Sequence, residues 1–248
     1  MRLDRALVER GLARSRGQAA EAISAGRVTV NDVVARRPAR TVSADDRLEV
    51  SGADHYVSRA AHKLAAALAA SGVVVPPRVL DAGASTGGFT QVLLEAGARR
   101  VYAVYVGHDQ LAPALRADAR VAVRERLNLR DLTLADLDGE RVDLVVGDVS
   151  FISLTLLLGP LFDVVAPDGS ALLLVKPQFE VGRPGLDDRG VVRDPRLRER
   201  AVAGVVAAAR HLGWRAAWQG DSDLPGESGN REYFVHFLPA ARGVGGPG

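Results

Sequence analysis

Arg78-Val79-Leu80-Asp81-Ala82-Gly83-Ala84-Ser85-Thr86-Gly87-Gly88-Phe89 runs from an apolar β-type segment, through a glycine-rich turn, into the start of a helical pattern. Strand, glycine turn and helix in that order form the opening unit of a doubly wound α/β domain. Glycine there lets the backbone turn sharply and come close to a ligand at the head of the helix. The spacing differs from the G-x-G-x-x-G dinucleotide fingerprint, and no Lys-Ser/Thr pair closes the run as in a phosphate-binding P-loop. Taken alone, the turn is also compatible with another nucleotide site or a purely structural role.

Downstream the same unit repeats. Short apolar runs at residues 78–80, 101–106, 121–123, 142–146 and 171–175 have the character of strands buried on both faces of a parallel sheet, separated by helical stretches. A helix is predicted over residues 201–212 and a last strand over 233–237. Upstream, Ser58 reads as the N-cap of an alanine-rich helix over residues 59–70 that Gly72 closes. Ahead of it, residues 51–57 are polar and non-periodic, as expected of an interdomain joint. Leu3, Ala6, Leu7 and Leu12, then Ala19, Ala20 and Ile23, predict two short helices. The alternation over residues 27–34 and the apolar positions of 48–50 predict short strands. The expected organisation is therefore a small α+β module over residues 1–50, a linker over 51–57, a Rossmann-like α/β domain over 58–240 and a disordered Gly/Pro tail over 241–248.

Composition narrows the function. A chain of 248 residues with 47% hydrophobic content can bury a substantial core. No apolar run reaches the length of a membrane span, and Arg2, Asp4 and Arg5 interrupt any signal-peptide core, so no membrane association is expected. The absence of cysteine excludes disulfides and thiolate metal sites, and the expectation is a cytoplasmic protein without a metal. Net charge is only +2, yet residues 1–40 carry nine Arg against four acids, whereas residues 58–248 carry 22 charges of each sign. A basic surplus confined to the N-terminal module suits a small nucleic-acid-binding unit joined to a neutral domain; an arginine-rich solvated helix face is the simpler alternative.

Only two of the 32 basic residues are lysines, Lys63 and Lys176. An amine can give up its proton where a guanidinium cannot, so a lysine retained in an arginine-rich chain points to proton transfer; drift on a solvated surface is the alternative. Lys63 lies on the alanine-rich helix, where Ala60 and Ala67 leave room for a bulky group. Lys176 ends an apolar strand, and Pro177 after it forces an extended backbone, which holds the lysine at the rim of the sheet. Asp148 ends another strand and Glu232 precedes the last one; taken singly, Asp148 could equally be a cap and Glu232 a surface ion-pair partner.

The N-terminal run through Ala13-Arg14-Ser15-Arg16 and Ala25-Gly26-Arg27-Val28-Thr29-Val30-Asn31 resembles the RNA-binding module first seen in a small-subunit ribosomal protein. Arg2, Arg5, Arg14, Arg16, Arg27, Arg36 and Arg37 are the candidate phosphate contacts, which would position RNA without reading bases. The glycine turn resembles the first motif of methyltransferases that use S-adenosylmethionine. Ser58-Arg59-Ala60-Ala61-His62-Lys63-Leu64, Phe151-Ile152-Ser153-Leu154, Val175-Lys176-Pro177-Gln178-Phe179-Glu180, Gly190-Val191-Val192-Arg193-Asp194-Pro195 and Gly229-Asn230-Arg231-Glu232 extend the likeness along the chain. The whole resembles the TlyA family of ribosomal RNA 2'-O-methyltransferases, whose catalytic domain is related to the FtsJ group. That resemblance implies transfer of a methyl group from S-adenosylmethionine to a ribose 2'-hydroxyl of cytidine in 16S and/or 23S ribosomal RNA, with ribosomal RNA or subunits as partner. It also implies a catalytic Lys-Asp-Lys-Glu set at Lys63, Asp148, Lys176 and Glu232, and cofactor contacts from Asp81, Gly83, Ala84, Ser85, Thr86, Gly87, Gly88, Phe89, Asn128 and Asp148.

A 2'-hydroxyl must lose its proton as its oxygen attacks, and a placed base contributes roughly 10²- to 10⁴-fold. Lys176 is the expected base, its neutral form favoured by burial and by Lys63 as a second cation, with Asp148 and Glu232 orienting the amines. One position departs from the family: Tyr105 stands at the strand end where an aspartate usually binds the donor's ribose, which predicts weaker cofactor affinity, with Asp109 a partial substitute. Tyr105 also supports an alternative reading, an RNA-binding assembly protein with a degenerate methyltransferase fold. The family's historical haemolysin name finds no apolar span or strongly cationic amphipathic helix in this chain.

Overall fold

The computed structural model describes residues 1–13, 15–51, 55–226 and 228–240. Arg14, residues 52–54 of the expected joint and the expected disordered tail lie outside them. The chain divides into two compact units, Met1–His55 and Tyr56–Gly248.

In the first unit, helices α1 (Leu3–Glu9) and α2 (Arg16–Ser24) pack beside a three-stranded antiparallel sheet of β1 (Val28–Val30), β2 (Val33–Ala35) and β3 (Leu48–Val50), with β1 central. The Ser15 hydroxyl caps α2 by accepting from the Gln18 amide at 3.2 Å. Leu3, Leu7, Ile23, Val28 and Val30 fill a small core of their own.

The second unit is an α/β sandwich. Its elements in chain order are α3 (Ala60–Ser71), β4 (Arg78–Ala82), α4 (Gly88–Glu95), β5 (Arg100–Tyr105), α5 (Pro113–Arg116), β6 (Val121–Glu125), β7 (Val142–Gly147), α6 (Leu158–Asp163), β8 (Val165–Val175), α7 (Pro195–His211), β9 (Trp214–Asp221) and β10 (Tyr233–Pro239). The seven strands lie in the order β6-β5-β4-β7-β8-β10-β9. The first five are parallel, whereas β10 runs antiparallel to both β8 and β9. Alternate strand residues feed two cores. Leu80, Val104, Val145 and Leu173 face α6 and α7, while Val79, Ala103, Val146 and Leu172 face α3 and α4. Burial on both faces explains why these strands read as unbroken apolar runs.

Four sequence expectations change. Ser58 does not cap α3: Arg59 holds the cap position without a side-chain hydrogen bond. Ser58 lies one residue earlier, its hydroxyl filling the space that a side chain at Gly88 would need. The links flanking β6 are not full helices, since α5 has four residues and the path to β7 consists of two 3-10 turns. The last helix begins at Pro195, not residue 201, because Asp194 accepts the Arg196 amide at 2.8 Å and proline suits the first helical position. The edge strand β9 was not expected; its alternating burial weakens the apolar signal. Among the described residues no helix is long and apolar enough to cross a membrane.

Candidate active site

Strand order reverses at β4, with β5 and β6 to one side and β7 and β8 to the other. The crevice outside the carboxyl end of such a strand is where doubly wound sheets bind ligands. The glycine turn leaves β4 there. Gly83 has φ +90°, and a β-carbon on it would meet the Asp148 carbonyl oxygen at 3.0 Å; Gly87, φ +97°, heads α4 and has no room for a side chain beside Leu111 and Leu115. Ser85 and Thr86 form the exposed crest, Ala84 and Gly88 are buried, and Phe89 turns inward to stack on Phe234 with ring centroids 6.1 Å apart.

Three neighbouring strand ends then bring charged groups to the same edge. Asp148 directly follows β7, and its amide donates to the Ala82 carbonyl at 3.1 Å. Lys176 directly follows β8. Tyr233 pairs with Val175, so Glu232 enters β10 across from Lys176. From α3, Lys63 Nζ donates to Glu232 Oε2 at 2.6 Å, with both side chains buried. Lys176 Nζ lies 2.6 Å from Asp148 Oδ1 and donates to Ser150 Oγ at 2.7 Å. Four residues spread from position 63 to 232 thus meet as two ion pairs at one sheet edge. Lys63 is not a bare second cation beside Lys176, as its charge is matched by Glu232, and the space left by Ala60 and Ala67 does not expose its ammonium group.

Asp81 sits beneath this edge, wholly buried, its Oδ2 accepting from the Thr90 hydroxyl at 2.6 Å. Burial, with a smaller contribution from the Asp148 charge, pushes its carboxyl up to about 7 against the pull of the Thr90 hydrogen bond. Oδ1 of Asp81 is buried without a hydrogen-bond partner, whereas Oδ1 of Asp148 faces the Lys176 ammonium at 2.6 Å. An unsatisfied acceptor beside an open glycine turn suits a ligand that brings a hydrogen-bond donor or positive charge. Among the described residues no group of His, Asp and Glu side chains could hold a metal ion.

At the end of β5, Tyr105 is buried, and its hydroxyl donates to Glu125 Oε1 at 2.5 Å and accepts from Arg116 at 3.1 Å. Asp109 is mostly exposed; its backbone amide, not its carboxylate, joins the cluster by donating to Glu125 Oε1 at 2.9 Å. Asn128 accepts the Arg130 amide at 3.0 Å, capping a 3-10 turn.

Several contributors escaped the sequence reading. Gln178 Nε2 donates to Glu232 Oε1 at 3.1 Å, so both oxygens of that carboxylate are held. Glu180 binds the loop after β7, accepting the Leu154 amide at 2.7 Å and the Ser153 hydroxyl at 2.6 Å. Phe151, on the same loop, is 92% exposed at φ +65°, its ring 5.3 Å from that of Phe179. An aromatic ring displayed on left-handed backbone is costly in two ways, which points to use. The only sequence signal for these residues was their place in the quoted motif strings.

In the first unit, Arg2 and Arg16 converge on the buried Asp4 at 2.9 and 3.2 Å, and the Arg2 guanidinium above all holds that carboxyl well below the usual range. Arg5 pairs with Glu9 at 2.7 Å. The Arg36 guanidinium lies against Gly26, and Arg37 is exposed. Arg27 has a buried guanidinium nitrogen, Nε.

Comparison with known proteins places both units. Residues 56–238 match the FtsJ-like methyltransferase family, and residues 1–48 match the S4 domain. The chain is 52% identical over 237 residues to the 16S/23S rRNA (cytidine-2'-O)-methyltransferase TlyA of Mycobacterium tuberculosis, covering 94% of this chain and 88% of that protein. It is 38% identical over 239 residues to Hemolysin A of Brachyspira hyodysenteriae, covering 96% of this chain and all of that one. A solved structure of a Streptococcus thermophilus protein described as a hemolysin superposes with a TM-score of 0.78 at 36% identity, over 97% of this chain and 89% of that chain. The chain belongs to the FtsJ-like methyltransferase family, in its TlyA branch with an amino-terminal S4 domain.

Proposed function

We propose that this protein transfers a methyl group from S-adenosylmethionine to the ribose 2'-hydroxyl of a cytidine in 16S and 23S ribosomal RNA, working on ribosomal subunits in the cytoplasm. The observation that carries the reading is the pair of ion pairs, Lys63 with Glu232 and Lys176 with Asp148, at the sheet edge beside the glycine turn. The substrate named for the 52% identical relative supports the choice of cytidine.

When bound, S-adenosylmethionine supplies an electrophilic methyl group on a sulfonium centre. Gly83 to Gly88 leave the space for it, and the unpaired Oδ1 of Asp81 offers an acceptor for its amino-acid end. Lys176, ending its strand at the rim and steadied by Ser150, takes the proton from the 2'-hydroxyl as the oxygen is methylated. Asp148, 2.6 Å from that amine, aligns it. Lys63 and Gln178 fix Glu232 at the neighbouring strand end, where its carboxylate orients the ribose. Phe151 offers a face on which the target base stacks once it leaves its helix. In the S4 domain, exposed Arg37 and its neighbours grip phosphates, which positions structured RNA without reading sequence.

Incubation of purified 30S and 50S subunits with the protein and labelled donor tests the reading. Label appearing at cytidine riboses supports it; label absent from both subunits, or found only on bases, refutes it.

A further inference from the structure

We propose that Glu125, at the end of β6, is the carboxylate that binds the ribose hydroxyls of the methyl donor, replacing the acid that the adjacent strand end lacks. The inference rests on the functional reading above and names a residue for its cofactor site.

In doubly wound folds the acid that meets a cofactor ribose follows the glycine turn by about twenty residues, at the end of the second strand. Here that strand is β5 and its last residue is Tyr105. β5 and β6 are parallel neighbours, and their final residues, Tyr105 and Glu125, are direct register partners. Side chains of register partners share a face of the sheet, so the carboxylate has moved sideways by one strand while staying at the same height.

The surroundings of Glu125 are built, not incidental. Its Oε1 accepts from the Tyr105 hydroxyl at 2.5 Å, from the Asp109 amide at 2.9 Å and from the Arg116 guanidinium. These donors, the Tyr105 hydroxyl first and Arg116 second, hold the carboxyl down to about 2, so it is ionised throughout the physiological range. Oε2 has no hydrogen-bond partner among the described residues, and the side chain is 24% exposed. One oxygen is therefore fixed and the other is left to accept.

The cluster is also joined to the glycine turn. The Ala112 amide donates to the Thr86 carbonyl at 3.1 Å, and Leu111 and Leu115 close against Gly87, so the segment carrying Arg116 is tied to the turn itself. Neither alternative acceptor is so placed. The Tyr105 hydroxyl is already used as donor to Glu125 and acceptor from Arg116. The Asp109 carboxylate is 81% exposed, with Arg116 3.8 Å away as its one charged neighbour within ion-pair range among the described residues.

The test is a calorimetric titration of the full chain with S-adenosylhomocysteine and with its 2',3'-dideoxy analogue. Glu125→Gln is expected to weaken binding of S-adenosylhomocysteine roughly ten- to hundredfold, the range for a lost hydrogen bond to a charged group. The same variant is expected to bind the dideoxy analogue as the wild type does, because that ligand lacks the hydroxyls. Tyr105→Phe keeps the carboxylate and is expected to change binding only a few-fold. Tyr105→Asp sets a second negative charge against Glu125 and is expected to weaken binding, not restore it. An equal loss on both ligands would make Glu125 a structural strut and overturn the proposal, as would no loss on either. If Glu125→Gln does not fold, a large loss for S-adenosylhomocysteine in Tyr105→Phe would still overturn it, by making the phenol the contact. Failure of the wild-type chain to bind S-adenosylhomocysteine at all would overturn the functional reading, and this inference with it.

Discussion

Replacing Asp81 by Asn offers a quantitative test of the buried site. Asp81 is wholly shielded from solvent, has one hydrogen-bond donor, and titrates at about 7 in the folded chain against an ordinary 3.8. Below pH 3.8 the carboxyl is protonated in folded and unfolded chains alike, and its full contribution to stability is present. As pH rises, the unfolded chain releases the proton first and the folded chain retains it, so stability declines until pH passes about 7. The whole interval corresponds to about 4 kcal/mol, of which about 3 kcal/mol is lost between pH 5 and pH 8. Asparagine keeps the shape and the acceptor for Thr90 but cannot titrate, so the variant gains that amount on the wild type over the same range. Urea unfolding followed by tryptophan fluorescence reads it cleanly, because Trp214 and Trp218 are the chain's two tryptophans and both lie in the second unit. With a slope of about 2 kcal/mol per molar urea, the midpoint difference between variant and wild type grows by about 1.5 M from pH 5 to pH 8. Groups that titrate identically in both chains cancel from that difference. A difference that does not change with pH would refute the reasoning.

Other outcomes follow from the same geometry. Lys63→Ala strands Glu232 as a buried unpaired charge and should cost about 3 kcal/mol in the urea assay, while Lys63→Met combined with Glu232→Gln should recover part of it. Lys176→Arg keeps the charge beside Asp148 but cannot act as a base; methyl transfer should be lost with the urea midpoint little changed. Phe151→Ala removes an exposed ring, so stability and S-adenosylhomocysteine affinity should hold while kcat/KM on ribosomal subunits falls roughly tenfold. Replacing Arg36 and Arg37 together by Ala should weaken subunit binding and reduce the slope of log affinity against log salt by about 2, measured in a salt titration.

The parts of the fold that were legible in the sequence are those fixed by local chemistry. β4, its glycine turn and α4 follow from one contiguous stretch, and the parallel strands from apolar runs buried on both faces. β9 escaped notice because an edge strand exposes every second residue, so Trp214 to Asp221 carries no continuous apolar signal. The Ser58 cap failed because a serine before a helix can cap it or pack beside it, and only the neighbouring Gly88 decides. The lysines stood out by their rarity, and the resemblance supplied their acidic partners. The specific pairing, Lys63 with Glu232 and Lys176 with Asp148, is a product of strand register and was not readable from composition or spacing. Glu125 was hidden for the same reason: its relation to Tyr105 exists only across two strands.

In the proposed reaction, two amines and two acids at one sheet edge direct methylation of a cytidine ribose. Its most direct test is mass-spectrometric mapping of ribose methylation in 16S and 23S ribosomal RNA from cells lacking the gene, complemented with either the wild type or Lys176→Arg. Cytidine 2'-O-methylation is expected to return with the wild type and to stay absent with the variant. Identical maps with and without the gene, or full methylation restored by Lys176→Arg, would contradict it.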